Sequence, residues 1–229
     1  MRYLNAIAAH EIFVASGIYR RYIGDSISEY SESWTQHDVG GGAILTRIDQ
    51  DARFTEGWSR LAEVLQNPEG GIERVKIQTN HSGVNAPFRM MKSDYSFLDG
   101  YVQIARTLNG KVSYDEIDLP EGTFVRLLSF LLFWGMALQR AQAGDIEQLP
   151  VFVPFHKPNL PPGRVTIGKL PTIENVLPET VMINGRERYT VRYVTLGKRV
   201  IWLDNQGVPL KFNHATGQFS DILHDYAHR

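Results

Sequence analysis

Thr123-Phe124-Val125-Arg126-Leu127-Leu128-Ser129-Phe130-Leu131-Leu132-Phe133-Trp134-Gly135-Met136-Ala137-Leu138-Gln139-Arg140-Ala141-Gln142 is apolar almost all the way round, while nearly everything on either side reads as short strands broken by turns. A helix that is hydrophobic on every face has to be buried on every face. The strands must therefore curve around it or fold over it. The fold expected is mainly β (α+β): a large curved antiparallel sheet, or half-barrel, wrapped around one apolar helix over 123–142. Thr123 stands where an N-cap belongs and Gly144 where a C-terminal glycine does. The apolar core of the stretch contains Arg126 and Ser129 and falls short of the ~20 residues that cross a bilayer. It reads as a buried helix, with no stable membrane insertion.

Working outward, the N-terminal half alternates like antiparallel strands. Gly24-Asp25 separates Tyr19–Ile23 from Ser26–Gln36 and suits a two-residue type II′ turn, and Asp99-Gly100 joins two further runs with a type I′ signal. No helix-length pattern separates these runs, so the order is a meander rather than a βαβ nucleotide-binding sheet. Pro150, Pro154, Pro158, Pro161 and Pro162 mark a proline-rich connection after the helix. Strands then resume, punctuated by Asn184-Gly185, Asn205-Gln206-Gly207 and Ala215-Thr216-Gly217. The expected organisation is a single domain over 1–229: strands within 10–118, the helix at 123–142, the connection at 146–165 and strands within 171–223.

Composition excludes several classes of function. With 24 Lys+Arg against 25 Asp+Glu there is no basic footprint for nucleic acid. The chain has no cysteine, so disulfides, thiolate nucleophiles and the usual structural zinc sites fall away together. No P-loop, dinucleotide fingerprint or Gly-x-Ser-x-Gly elbow occurs. His224 and His228, four apart, would share a helix face but lack the metalloprotease glutamate, and no metal or cofactor is expected. Met1 to Glu11 lacks the apolar h-region of a secretory signal. A cytoplasmic location is the default expectation, and a periplasmic one follows if the chain is a trimmed precursor.

At Ile201-Trp202-Leu203-Asp204-Asn205-Gln206-Gly207-Val208-Pro209-Leu210-Lys211-Phe212 the chain resembles bacterial β proteins of the lipoprotein-carrier (LolA/LolB-like) type and related uncharacterised proteins, in which a late hairpin of this form closes the sheet. The order of elements is similar too. The resemblance implies an open, strongly curved sheet with a helical lid over a hollow that holds an acyl chain or another lipophilic molecule. A violacein-pathway enzyme is similar in fold, so the resemblance also admits catalysis.

Candidate residues follow from alternation. Tyr30, Trp34, Phe54, Tyr189, Tyr193, Trp202 and Phe212 lie on strands and can share the concave face, with Phe130 and Trp134 opposing them from the helix; together they form the expected lining for a lipophilic small molecule. Ordinary packing against the helix is the competing reading. Arg47, Asp49, Asp51 and Arg53 share the other face of one strand, either as a solvated ladder or as a polar head-group site. Glu32, His37 and Arg192 are further polar candidates. The function expected is a soluble binding or carrier protein for a lipophilic molecule; the alternative is a metal-free, nucleotide-free enzyme acting on a hydrophobic substrate, with Glu32 and Arg192 within hydrogen-bond reach of each other.

Overall fold

The computed structural model describes residues 1–81, 89–144, 148–154 and 161–229. The proline-rich connection therefore lies partly outside the described residues. Eight strands run in sequence: β1 (Ile12–Ile23), β2 (Ser26–Asp38), β3 (Ile44–Ala52), β4 (Trp58–Gln66), β5 (Ile72–His81), β6 (Arg89–Leu98), β7 (Tyr101–Leu108) and β8 (Lys111–Asp118). The short strand β9 (Phe124–Val125), helix α1 (Phe133–Gln142), β10 (Leu149–Pro154) and β11 (Gly163–Gly168) follow. The chain closes with β12 (Ile173–Ile183), β13 (Arg186–Thr195), β14 (Val200–Leu203), β15 (Pro209–Asn213) and β16 (Phe219–His228).

Strands from both halves join one 13-stranded antiparallel sheet in the order β12-β13-β14-β15-β16-β1-β2-β3-β4-β5-β6-β7-β8. The first strand thus lies near the middle, because β16 returns to pair with β1 from Ala15↔His228 to Ile23↔Phe219. A second sheet, β11-β10-β9, and α1 stand near the two free edges: β11 contacts β8, and α1 contacts β12. The concave face is the core, with Tyr19, Trp34, Tyr95, Phe130, Phe152 and Phe212 fully buried.

Turn chemistry accounts for the strand boundaries, with one correction. At Asp99-Gly100 only Gly100 has positive φ (79°), whereas a type I′ turn needs both residues there; Asn184 (φ 51°) and Gly185 (φ 73°) meet that requirement instead.

The apolar stretch also departs from expectation. Its helix begins at Phe133, not Thr123. Phe124–Val125 pair in parallel with Val151-Phe152, the Thr123 hydroxyl donates to Pro120 O, and residues 128–132 form consecutive turns. The cause lies in the main chain. Ser129 O accepts from Gln50 Nε2 (2.7 Å), Leu131 N donates to Glu32 Oε1 (2.8 Å), Arg126 N donates to Phe152 O (2.9 Å), and Leu128 O accepts from Trp134 Nε1 (3.0 Å). Groups that a regular helix satisfies internally are satisfied here by the barrel wall, by the second sheet and by the Trp134 side chain.

Leu127, Phe130, Leu131 and Leu132 are all buried, so this irregular segment, continued by α1, plugs the hollow. Gly135 lets α1 approach the loop between β14 and β15, because a Cβ there would stand 1.8 Å from Gly207 O. Alanine ordinarily favours a helix over glycine by about 1 kcal/mol, but overpacking against backbone costs about 1–3 kcal/mol or more. Gly135→Ala is therefore expected to lower stability by about 2 kcal/mol in urea denaturation. A stabilised variant would refute this packing.

Candidate functional site

Antiparallel register sets five residues side by side on the concave face: Tyr19 opposite Glu32, Glu32 opposite Gln50, Gln50 opposite Arg60 and Arg60 opposite Thr79. Glu32 is at the centre and fully buried. Its carboxylate accepts from Gln50 Nε2 (2.7 Å), from Leu131 N (2.8 Å) and from the Leu132 amide. Gln50 Oε1 in turn accepts from Arg60 Nη1 (2.8 Å). The row therefore acts as a clasp on the plug.

Burial pushes the Glu32 carboxyl up from 4.5 to about 7, against the donors of Gln50, Leu131 and Leu132, which pull it down. Burial likewise lowers Arg60 to about 10 and raises the Tyr19 and Tyr30 phenols. The Tyr19 hydroxyl, 0% exposed in its residue, has no hydrogen-bond partner among the described residues.

Towards the β1–β2 turn the interior becomes a stacked layer. The Arg21 guanidinium lies 3.8 Å from the Tyr30 ring centroid, and that of Arg60 lies 4.8 Å from Trp58 and 5.8 Å from Phe130. Asp221, fully buried, accepts from Arg21 Nε (3.0 Å) and Nη2 (3.3 Å), and His214 Nε2 lies 2.6 Å from its Oδ2. Arg21 stands between the Asp221 carboxylate and the Tyr30 ring.

The other end is open. A cleft of about 1080 Å³ lies between α1, the β4–β5, β6–β7 and β14–β15 loops, and the ends of β1, β2 and β16. Leu132, Phe133 and Met136 of the plug form one wall; Ile72, Phe97, Leu119 and Val208 stand among the others, with the amides of Gln36, Gln66, Gln139 and Gln206. The cleft is well separated from the Arg21 layer and meets the clasp only through the plug.

The expected lining residues are distributed differently. Tyr30, Trp34, Phe130, Trp134, Tyr193 and Phe212 are buried in the interior, with Trp134 and Phe212 centroids 5.2 Å apart and the Tyr193 hydroxyl bonded to Gln142 Oε1. None of them lines the cleft. Phe54 is 78% exposed in the β3–β4 turn, and Tyr189 is 68% exposed where β13 runs past the end of β14. Trp202 lies on the opposite sheet face, donating to Glu179 Oε2 (3.2 Å) beneath Lys211. Arg192, its cross-strand neighbour, pairs with Glu179 (3.3 Å), so it does not meet Glu32. Alternation finds a face but not which stretch of it stays open.

The charged ladder of β3 divides between the surface and a third place, beneath the N-terminal arm. Arg47 and Asp49 are buried on the convex face beneath residues 1–11. Arg2 holds Asp49 (2.5 Å), Asn5 holds Glu63 (2.6 Å) and Glu11 holds Arg47 (2.6 and 2.7 Å), with His37 Nδ1 3.3 Å from Arg47 Nη1. The Arg47 bonds hold Glu11 down at about 2, and burial lowers His37. These residues fasten the N-terminal arm to the wall. Asp51 and Arg53 pair with each other at the surface.

His224 and His228 fall in strand β16 rather than a helix, and among the described residues no three metal-ligating side chains gather. Among the described residues no helix is long and apolar enough to cross a membrane.

No family model matches the chain, and no curated protein matches it. Among solved structures it is similar to the crystal structure of a β-barrel-like protein, a domain of unknown function (DUF1849) from Brucella abortus. The TM-score is 0.52 and the identity 9%, over 96% of this chain and 100% of that chain. The fold is barrel-like. At that identity the likeness shows the fold alone.

The clasp makes stability depend on pH. An acid whose pKa is higher when folded binds its proton more tightly when folded, so the folded state is favoured below 4.5 and loses that advantage as pH rises to about 7. At about 1.36 kcal/mol per pH unit the loss is about 3 kcal/mol. Urea unfolding of wild type and Glu32→Gln over this range should show the wild type losing about that much relative to the variant. Parallel curves would show that Glu32 is not the titrating group.

Proposed function

We propose that the protein binds a lipophilic small molecule or acyl chain in the cleft at the open end of the barrel, in the manner of a carrier. The observation carrying this reading is the volume of about 1080 Å³ next to the plug. It is ample for a ligand pocket, which typically has about 300–1000 Å³. Phe133, Met136, Ile72 and Phe97 offer apolar contact, and the glutamine amides offer uncharged hydrogen bonding without the cost of burying an ion. The resemblance to lipoprotein-carrier proteins at 201–212 supports the same reading, since that hairpin forms the cleft wall at Gln206-Gly207-Val208.

Catalysis has weaker support. Glu32, whose carboxyl burial pushes up to about 7, gives its oxygens to the plug and to Gln50. A fluorescent fatty-acid probe should bind protein purified without detergent, and Met136→Trp, which puts a bulkier side chain into the cleft wall, should weaken it by about tenfold (~1.4 kcal/mol). An absence of saturable probe binding, or equal binding by the variant, would refute the proposal.

A further inference from the structure

A second cavity, of about 340 Å³, lies between the tip of the β12–β13 hairpin and strands β15 and β16. Ile183, Asn184, Arg186 and Arg188 line it from the hairpin, and Leu210, Leu223, His224, Asp225 and Tyr226 from the strands. The tip is anchored, because Asn184 Nδ2 donates to Leu223 O (2.6 Å) and Ile183 is buried in the main core.

The arginines are placed unusually. They sit two residues apart on one face of β13, and their cross-strand neighbours are Ile183 and Val181, so no acid stands opposite. β14 pairs with β13 only from Val191 onward, which leaves Arg186 and Arg188 beyond the edge of that ladder. Among the described residues neither makes an ion pair or a side-chain hydrogen bond, whereas Arg192, four residues along the same strand from Arg188, is paired with Glu179. Two guanidiniums with ten N–H donors between them thus border one partly open pocket.

Of the other polar groups there, the Tyr226 hydroxyl is engaged with Gln206 Oε1 (3.1 Å) and His224 Nε2 lies 3.1 Å from the Tyr22 hydroxyl. Asp225, at φ 50° where the β1–β16 register shifts, is the acid of the lining. Its charge opposes one of the two arginines and leaves a net positive site.

We infer that this cavity is a binding site for a small oxyanion, the phosphate or carboxylate group of a compact ligand, gripped by Arg186 and Arg188. A planar guanidinium matches either group with paired N–H···O bonds. Asp225 biases the site against highly charged anions and offers an acceptor to a hydroxyl or ammonium elsewhere on the ligand. A volume near the lower end for ligand pockets suits a molecule of metabolite size rather than a lipid.

Isothermal titration with inorganic phosphate and, separately, with acetate tests the assignment and tells the two sources apart. Wild type should bind at least one of them saturably. Arg186→Gln/Arg188→Gln should weaken that binding by about tenfold or more, and Asp225→Asn should tighten it. Both arginines are at least partly exposed, so the double variant should keep the wild-type urea midpoint and its fatty-acid probe binding, which keeps this test independent of the cleft. No saturable binding of either anion, or equal affinity in wild type and the double variant, would overturn the inference.

Discussion

The grip of the Glu32 carboxylate on the Leu131 and Leu132 amides is the contact on which the rest of the barrel interior depends. It places a polar acceptor inside an apolar barrel, and it fixes where the apolar segment stops being turns and becomes α1. Burying Glu32 costs about 3 kcal/mol at neutral pH, from the displacement of its pKa. Burying Leu127, Phe130, Leu131 and Leu132 contributes about 1.5–3 kcal/mol each, an upper estimate. The apolar term wins, so a strained carboxylate is tolerated as the anchor of a well-packed plug.

That anchor gives the barrel two unlike ends. Towards the β1–β2 turn, Arg21, Tyr30, Trp58, Arg60 and Phe130 stack in a layer tied to Asp221. Towards the β4–β5 and β6–β7 loops the plug continues as a helix, and one wall of that helix faces the cleft. Gly135 sets the depth of the helix against the β14–β15 loop, and so it also shapes the cleft. The proposed ligand would touch the plug directly and the clasp through it.

Much of the scaffold was legible from local chemistry. Asn184-Gly185 and Gly24-Asp25 mark hairpins because few other dipeptides adopt those φ values, and the joining of both halves follows from the weakness of five late strands standing alone. Glu32 shares the face of Tyr30 and Trp34 on β2, and the sequence alone names it a polar candidate without placing it in the interior. The helix was over-read because an apolar run says that a segment is buried, not whether its amides bond along the chain or across to Glu32 and Gln50. Arg47 and Asp49 look solvated in β3 because their cover, Arg2 to Glu11, lies far away in sequence. The cleft went unseen because separate loops build it, each of which reads alone as ordinary turn punctuation.

The most direct test of this account is the titration of Glu32 itself, followed by the carbon-13 shift of its side-chain carboxyl in the folded protein. The account predicts an apparent pKa of about 7, with the Leu131 and Leu132 amide resonances moving at the same midpoint. A carboxyl titrating near 4.5, with those amides unmoved, would mean that Glu32 is solvated and does not hold the plug.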